Sequence, residues 1–405
     1  MKKHFKKTRL SELGEITRGV TYKSPDDLRP AGSPRTVQLL RATNIQDGSI
    51  TLDDVQVIDE ACAPERQRLA TGDIAICIAN GSRALVGKAA LVDIGEPDGY
   101  VVGAFCARYR PRPGESSDLI AAIFESQEYR SWIDRLLGTT TINNLKPSDI
   151  ANCPIMLPTE ERGRRRLGAV MRTNRNAIRH TDALIAAKRD QKRGLMQQLL
   201  TGKVRFPGFT EPWKTVRLGE IAHLRGSKGT SSHLPHLRCI ELEHIESGTG
   251  EIIGEASVGS TVSLKTEFAP GDVLFGKLRP YLRKFALVEF AGLCSTEIWA
   301  LIPDQTVITS GYLRLLVEAP AVQRAANATS GTKMPRADWD VVSTTPVHLP
   351  PKSEQDRITL LASAIDSEIR LLSAQRQALA TQRRGLMERL LSGEIDIPSS
   401  DTSAA

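Results

Sequence analysis

The chain has 405 residues, of which 40% are hydrophobic, 25% are charged and only 5% are aromatic. This composition is that of an ordinary globular protein long enough for two or three cores, and it excludes a collagen-like or a disordered chain. Lys and Arg outnumber Asp and Glu by 54 to 47, and the excess lies in residues 1–200, which hold 31 basic and 24 acidic side chains. The basic first half therefore favours a polyanionic partner, most simply nucleic acid.

Cysteine usage and the N-terminus predict the cellular compartment. The six cysteines are far apart and form no C-x-x-C pair, which is typical of reduced core residues in a cytoplasmic protein. The basic start MKKHFKKTR is not followed by an apolar signal-peptide region, and no window of about 18 apolar residues occurs. We therefore expect a cytoplasmic protein without a membrane partner.

Residues 1–158 contain short apolar runs rich in Val and Ile, separated by Gly, Pro, Asp and Asn. Runs such as GDIAICIA and YVVGAFCARY predict strands, and the stretch DLIAAIFESQEYRSWIDRLL predicts a helical region towards the end of the segment. This mixture is typical of a compact α+β domain.

Residues 159–202 predict one long helix, because the segment has no internal proline and Gly202 stands where a left-handed residue would end it. Apolar residues follow the alternating four- and three-residue spacing of a coiled coil, at six of ten positions. The predicted seam consists of Leu167, Met171, Asn174, Ile178, Thr181, Ile185, Lys188, Lys192, Leu195 and Leu199.

The second half of the chain has the same order of predicted segments, an α+β domain followed by a long helix. Residues 203–350 predict a second α+β domain, residues 351–393 a second long helix, and residues 394–405 a disordered tail. The same spacing in the second helix finds eight apolar residues in ten positions. This seam consists of Ile358, Ala362, Ile365, Ile369, Leu372, Arg376, Leu379, Arg383, Leu386 and Leu390.

The two halves are related by an internal repeat. RGLMQQLLTGKVRFP at 193–207 aligns with RGLMERLLSGEIDIP at 384–398, an offset of 191 with eight identities in fifteen positions. Outside the helices, PIMLP answers PVHLP and KAALVD answers KFALVE in the same order. The sequence therefore predicts a duplicated unit of roughly 200 residues.

Two narrow seams in one chain favour pairing of the two helices with each other. The resulting α+β fold has two similar domains separated by two long antiparallel coiled-coil helices, with a pseudo-two-fold repeat. The alternative is that each helix packs only on its own domain. Because a DNA duplex has similar approximate symmetry and the two domains differ in sequence, the arrangement suits an asymmetric, split DNA target.

Several segments carry a resemblance to a known family. The helix ends RGLMQQLLTGKVRFPGF and RGLMERLLSGEIDIP, the phrase PGFTEPWKTVRLGEI, the loop FGKLRPYLRK and the passage SGTKMPRADWDVVSTTPVHLPPKSEQDRI together resemble the specificity subunit of type I restriction-modification enzymes. The resemblance extends over both repeats, although MKKHFKKTRLSELGEI lacks a counterpart of Trp213. It implies two target-recognition domains (1–158 and 203–350) and a central and a distal spacer helix (159–202 and 351–393).

The resemblance also implies partners and a role. Each domain would read half of a bipartite sequence in double-stranded DNA, and the helices would dock two methyltransferase subunits, which restriction subunits then join. A related type IIB-like or methylation-only system is an alternative, and a coiled-coil scaffold that binds only proteins is a second. The basic loops distinguish the scaffold, because such a scaffold does not need them.

The sequence gives no sign of catalysis or of a cofactor. It has no G-x-x-x-x-G-K-[ST] loop and no Gly-rich methyltransferase loop, and Asp190-Gln191-Lys192 lies within a charged helix. His233, His236, Cys239 and His244 are spaced closely enough for zinc, but LPHLRCIELEHI alternates like a strand, which favours core and loop roles over a metal site. We therefore expect a non-catalytic protein with no metal or cofactor.

DNA contacts are expected from loop residues that can donate to phosphates or to base edges. In the second domain these residues follow the strand GDVLF or lie in the passage SGTKMPR, and the repeat alignment supplies their counterparts in the first domain. The second-domain candidates are Lys277, Arg279, Tyr281, Arg283, Lys284, Thr332, Lys333 and Arg336. The first-domain candidates are Arg41, Asn44, Asn80, Ser82, Arg83, Lys88, Thr139, Thr140, Asn143, Asn144 and Lys146.

Overall fold

The computed structural model describes residues 5–138, 142–230, 238–256, 264–328 and 334–391. The chain divides into two compact units. Unit 1 contains the described residues up to Asp182 together with those from Gln375 onwards, and unit 2 contains those from Ala183 to Ala374. Each unit therefore consists of a globular part and a portion of each of two long helices.

Unit 1 is built from short strands and a few helices. Its strands are β1 (Phe5–Arg9), β2 (Gly14–Arg18), β3 (Thr36–Leu40), β4 (Ile45–Gln46), β5 (Gly48–Ile50), β6 (Gln56–Asp59), β7 (Ile74–Cys77), β8 (Ala89–Leu91), β9 (Tyr100–Val102), β10 (Cys106–Pro111) and β11 (Pro154–Pro158). Its helices are α1 (Leu10–Leu13), α2 (Ser117–Phe124), α3 (Gln127–Gly138), α4 (Pro147–Ala151) and the first part of α5 (Glu161–Leu199).

The main sheet of unit 1 has the order β2-β10-β7-β8-β5-β4, and a smaller sheet has the order β6-β3-β9. Strand β7 is buried along its whole length, as expected for a central strand with an unbroken apolar run. Helix α2 packs on this sheet, where Phe124 makes edge contacts with Tyr109 and Tyr129. One face of the main sheet thus packs on helices, and the other packs on residues of β3 and β9 in the smaller sheet. This is the mixed architecture that the sequence predicts.

Unit 2 has a similar sequence of elements. Its strands are β12 (Lys214–Arg217), β13 (Ala222–Leu224), β14 (Lys228–Thr230), β15 (Arg238–Ile240), β16 (Leu264–Phe268), β17 (Val273–Gly276), β18 (Phe285–Leu287), β19 (Gly292–Cys294), β20 (Ile298–Pro303) and β21 (Pro346–Leu349). Its helices are α6 (Leu218–Ile221), α7 (Ser310–Glu318), α8 (Pro320–Ala326), α9 (Trp339–Ser343) and parts of α5 and α10 (Lys352–Leu391).

The strand orders of the two units correspond in part. The order β13-β20-β17-β18 in unit 2 matches β2-β10-β7-β8 in unit 1, and β12 pairs with β21 as β1 pairs with β11. The second sheets differ, because the order is β14-β16-β19-β15 in unit 2 and β6-β3-β9 in unit 1. The first sheet in each unit positions the loops considered below.

Both long helices fit the predicted coiled-coil pattern. Every described seam position is buried or half-buried; the side chain of Leu390 lies outside the described residues. Gly202 follows α5 with a positive φ of 68°, as the predicted helix end requires. The predicted tail, residues 394–405, also lies outside the described residues.

Within each unit the portions of α5 and α10 run antiparallel. In unit 2, Lys188 pairs with Glu368 at 2.9 Å and Lys192 with Asp366 at 2.9 Å, so that residue numbers rise on one helix as they fall on the other. In unit 1, Arg376 pairs with Asp182 at 3.1 Å. The helices also contact the globular parts, because Met171 and Met387 belong to the core of unit 1. Among the described residues no helix combines the length and the apolarity needed to cross a bilayer.

Candidate nucleic-acid interface

In unit 1 the loop after β7 comprises residues 78–88 and is called the unit 1 loop. Its first residues lie between two other backbone segments, one at Phe105 and one at residues 143–145. Ile78 and Ala79 donate to the carbonyl of Phe105 at 2.9 and 3.1 Å. On the other side, Leu145 donates to Ile78 at 2.9 Å, and Asn80 donates to Asn143 at 3.2 Å. Residues distant in sequence are thereby held side by side as three extended segments.

Polar side chains fix the shape of this loop. Asn80 Oδ1 accepts from the backbone N–H of Ser82 at 2.9 Å, and Asn143 Nδ2 donates to the carbonyl of Gly81 at 3.1 Å. Arg83 Nη2 donates to the carbonyl of Asp134 at 2.8 Å. Asn144 and Lys146 lie exposed on the adjacent segment. The structure therefore brings the two predicted groups of residues together, while Thr139 and Thr140 lie outside the described residues.

Asn44 does not belong to such a surface, and here the prediction needs correction. Its side chain is completely buried, because Oδ1 accepts from Arg41 N–H and Nδ2 donates to the carbonyls of Thr51 and Asp53. Arg41 itself pairs with Asp54 at 2.7 Å. Lys88, at the end of the unit 1 loop, is half-buried.

Unit 2 repeats the arrangement with other residues. The loop after β17 (residues 277–284, the unit 2 loop) begins with Lys277, whose N–H donates to the carbonyl of Glu297 at 2.9 Å. On the other side, Ala337 donates to Lys277 and Arg279 donates to Pro335, both at 2.8 Å. These three contacts correspond to three of the four in unit 1, with Lys277 in the place of Ile78 and Arg279 in the place of Asn80.

The unit 2 loop presents cationic and aromatic groups. Arg279 and Arg283 flank the turn Pro280–Leu282, and both have left-handed backbone, with φ of 50° and 51°. Such a conformation costs an L-residue roughly 1 kcal/mol, so the surrounding contacts must impose it. Both arginines are exposed, and Tyr281 between them is 56% exposed.

Two further candidates in unit 2 are engaged by the protein itself. Lys284 Nζ donates to the carbonyls of Leu242 and Ile245 at 2.7 and 2.8 Å, so this lysine supports the fold rather than the surface. Arg336 forms a bidentate pair with Glu297 at 2.9 and 3.0 Å, and this guanidinium holds the pKa of Glu297 below its ordinary value. Thr332 and Lys333 lie outside the described residues.

Two residues at these surfaces were not predicted from the sequence. Phe105 is 70% exposed beside the unit 1 loop, in the apolar run YVVGAFCARY, which predicts strand. Gly103 and Ala104 separate β9 from β10, and that break was the available signal. Glu297, which occupies the place of Phe105 in unit 2, was missed because only residues able to donate to DNA were considered.

The described residues contain no cluster of His, Cys, Asp and Glu able to hold a metal ion. His233 and His236 lie outside the described residues. Cys239 is buried and its thiol has a raised pKa because of that burial, while His244 Nδ1 accepts from Glu241 N–H at 3.0 Å. Asp190 pairs with Arg193 on its own helix.

Part of the chain is similar in sequence to specificity subunits of type I restriction enzymes. The StySPI specificity subunit of Salmonella potsdam is 33% identical over 155 residues, which are 38% of this chain and 33% of that protein. The EcoKI specificity subunit of Escherichia coli K12 is 34% identical over 155 residues, 36% of this chain and 31% of that protein. Both are specificity subunits of type I restriction enzymes, and the match spans about a third of their length. No protein-family profile matches the chain.

Solved structures match nearly the whole chain. The type I restriction-modification S subunit of M. genitalium has a TM-score of 0.55 at 14% identity, covering 98% of each chain. A structure from work on complex assembly and conformational transition of the type I R-M system has a TM-score of 0.53 at 18% identity, covering 97% of this chain and 99% of the other. At these identities the likeness shows the fold.

Proposed function

We propose that the chain is the DNA sequence-specificity subunit of a type I restriction-modification complex, as its curated relatives are named to be. The observation that carries the proposal is a similar loop arrangement in both units, with mainly amide side chains in unit 1 and mainly guanidinium side chains in unit 2. Equivalent backbone with different donors is what recognition of two different half-sites requires. The role is non-catalytic and places the protein in the cytoplasm with the DNA.

The proposed architecture consists of two recognition domains and two long helices. Target-recognition domains at 1–158 and 203–350 are separated by spacer helices at 159–202 and 351–393, which form an antiparallel coiled coil with pseudo-two-fold symmetry. The antiparallel ion pairs within each unit support it. Two methyltransferase subunits would dock on the helices, and restriction subunits would join them.

The proposed contact residues are those whose side chains reach the surface beside the two loops. Asn44 and Lys284 are omitted because their polar atoms are used internally. Arg336 is kept because half of its side chain is exposed, although it pairs with Glu297. The contact set is Asn80, Ser82, Arg83, Asn143, Asn144 and Lys146 in unit 1, and Lys277, Arg279, Tyr281, Arg283 and Arg336 in unit 2.

The test is DNA binding by the assembled complex with its methyltransferase subunits. Arg279→Ala with Arg283→Ala should weaken binding to the methylated target at least tenfold and reduce its salt dependence, because two cations near phosphate or base edges are lost. Lys214→Ala with Arg217→Ala removes the same charge from β12 and is the control. Equal effects of the two double variants, or unchanged binding in both, would contradict the proposal. If Arg279→Ala with Arg283→Ala weakened binding of the methyltransferase subunits but not of DNA, the alternative of a coiled-coil scaffold that binds only proteins would be favoured.

A further inference from the structure

Each unit holds its long helices against its globular part through ion pairs, and one pair is equivalent in both units. Glu318 ends α7 and pairs with Lys192 of α5 at 3.1 Å, and the lysine side chain is only 8% exposed. Glu125 directly follows α2 and pairs with Arg383 of α10 at 2.8 Å. Lys192 and Arg383 correspond under the 191-residue offset. The acid therefore lies on the globular part and the base on the long helix in both units.

A second pair occurs in both units with its signs reversed. In unit 1, Arg175 of α5 pairs with Asp118 of α2 at 2.8 Å. In unit 2, Asp366 of α10 pairs with Arg314 of α7 at 2.9 Å. Arg175 and Asp366 correspond under the same offset, and Arg314 lies about one turn further along its helix than Asp118 does. The long helix carries the base in unit 1 and the acid in unit 2.

Neighbouring ion pairs add to the charge that the long helix presents in each unit. In unit 1, Arg172 adds a contact to Asp118 at 2.8 Å, and Arg175 and Arg179 both pair with Asp93. One face of α5 is thus basic against two aspartates.

In unit 2, Asp366 also forms an ion pair with Lys192 at 2.9 Å, and Arg314 Nη2 donates to the carbonyl of Thr249 at 3.0 Å. The Arg314 and Asp366 side chains are 12% and 17% exposed, so solvent screens them little.

We propose that this reversal of charge determines where each globular domain docks on the long helices. The first domain would dock at Arg175 of α5, and the second at Asp366 of α10. A second-domain fold docked on α5 would bring Arg314 against Arg175. A first-domain fold docked on α10 would bring Asp118 against Asp366. Two like charges in a contact that is mostly shielded from solvent oppose docking strongly. The Glu318–Lys192 and Glu125–Arg383 pairs have the same signs in both units, so they do not discriminate between the two domains. Two similar domains in one chain therefore dock only in their own places.

The first test is a charge-reversal cycle in the full chain, followed by thermal unfolding. Asp366→Arg and Arg314→Asp should each lower the Tm of unit 2 by roughly 5–10 °C, because each leaves like charges in contact. The double variant restores opposite charges in the order found in unit 1 and should recover a measurable part of the summed loss. Recovery should be incomplete, because Asp366→Arg also removes an acidic partner of Lys192. Asp356→Arg, the same change at an exposed position of α10, should shift the Tm by less than about 2 °C. Additive losses in the double variant would overturn the proposal.

The second test asks whether this reversal of charge selects the domain. Arg175→Asp should lower the Tm of the natural chain. In a full-length chimera in which residues 203–350 also replace residues 1–158, the same substitution should raise the Tm, because it would then face an arginine. Destabilisation in both proteins would overturn the proposal. If the chimera does not fold, the charge-reversal cycle decides.

Discussion

Asn44 is a loop asparagine whose side-chain amide is bonded entirely to nearby backbone. It accepts from Arg41 N–H at 2.9 Å and donates to the carbonyls of Thr51 and Asp53 at 3.1 and 2.9 Å. Asn144, by contrast, is exposed. Composition and spacing do not distinguish the two, because the difference depends on how residues seven to nine positions away fold back. The sequence therefore does not predict which of these two asparagines is exposed.

Asn44→Ala should lower the free energy of unfolding by about 1–3 kcal/mol, since it removes three hydrogen bonds and leaves buried backbone groups without partners. Asn144→Ala, the same change at an exposed position, should stay within about 0.5 kcal/mol. Denaturant unfolding of both variants measures the difference. A stable Asn44→Ala protein with impaired DNA binding would return this residue to the interface.

The long helices were predicted well because their spacing is local. Seam residues three and four positions apart share one face whatever the rest of the chain does, and the polar members Lys188 and Lys192 find acidic partners. Strand pairing was not predictable in the same way. β3 pairs in parallel with β9, about 60 residues further along, and no short pattern encodes that register. The three segments beside each loop depend on the same kind of distant pairing.

Ile358 and Leu360 lie two residues apart on α10, within one turn, and therefore point to nearly opposite faces of the helix, one buried and one exposed. Ile358 is fully buried in the core of unit 2, so Ile358→Ala should lower the free energy of unfolding by about 2–5 kcal/mol. Leu360→Ala should leave it within about 0.5 kcal/mol, because that side chain is largely exposed. Urea unfolding monitored by circular dichroism compares them. Equal losses would contradict the assignment of the two faces.

Over the whole chain, the same backbone arrangement carries two different sets of side chains. Ile78, Phe105 and Leu145 in unit 1 correspond to Lys277, Glu297 and Ala337 in unit 2, and the connecting hydrogen bonds are the same. The sequence predicts a repeat because the helix ends and the strands keep their order, and the matching strand orders of the first sheets agree with that prediction. The side chains at equivalent positions could not be predicted, because the exposed Phe105 and the arginine-bound Glu297 share no sequence pattern. This difference is what would make a split target asymmetric.

Substitutions in the two loops should therefore affect separate halves of one target. Asn144→Ala should relax base preference only in the half-site read by unit 1, and Arg279→Ala only in the half-site read by unit 2, by about 1–3 kcal/mol at the contacted pair. Mapping methylated sites genome-wide, in cells that supply the methyltransferase subunits, gives the preference at each position. Lys214→Ala should leave both halves unchanged. Relaxation of the same half by both loop variants would show that the units do not read DNA independently, and the assignment of one half-site to each unit would be wrong.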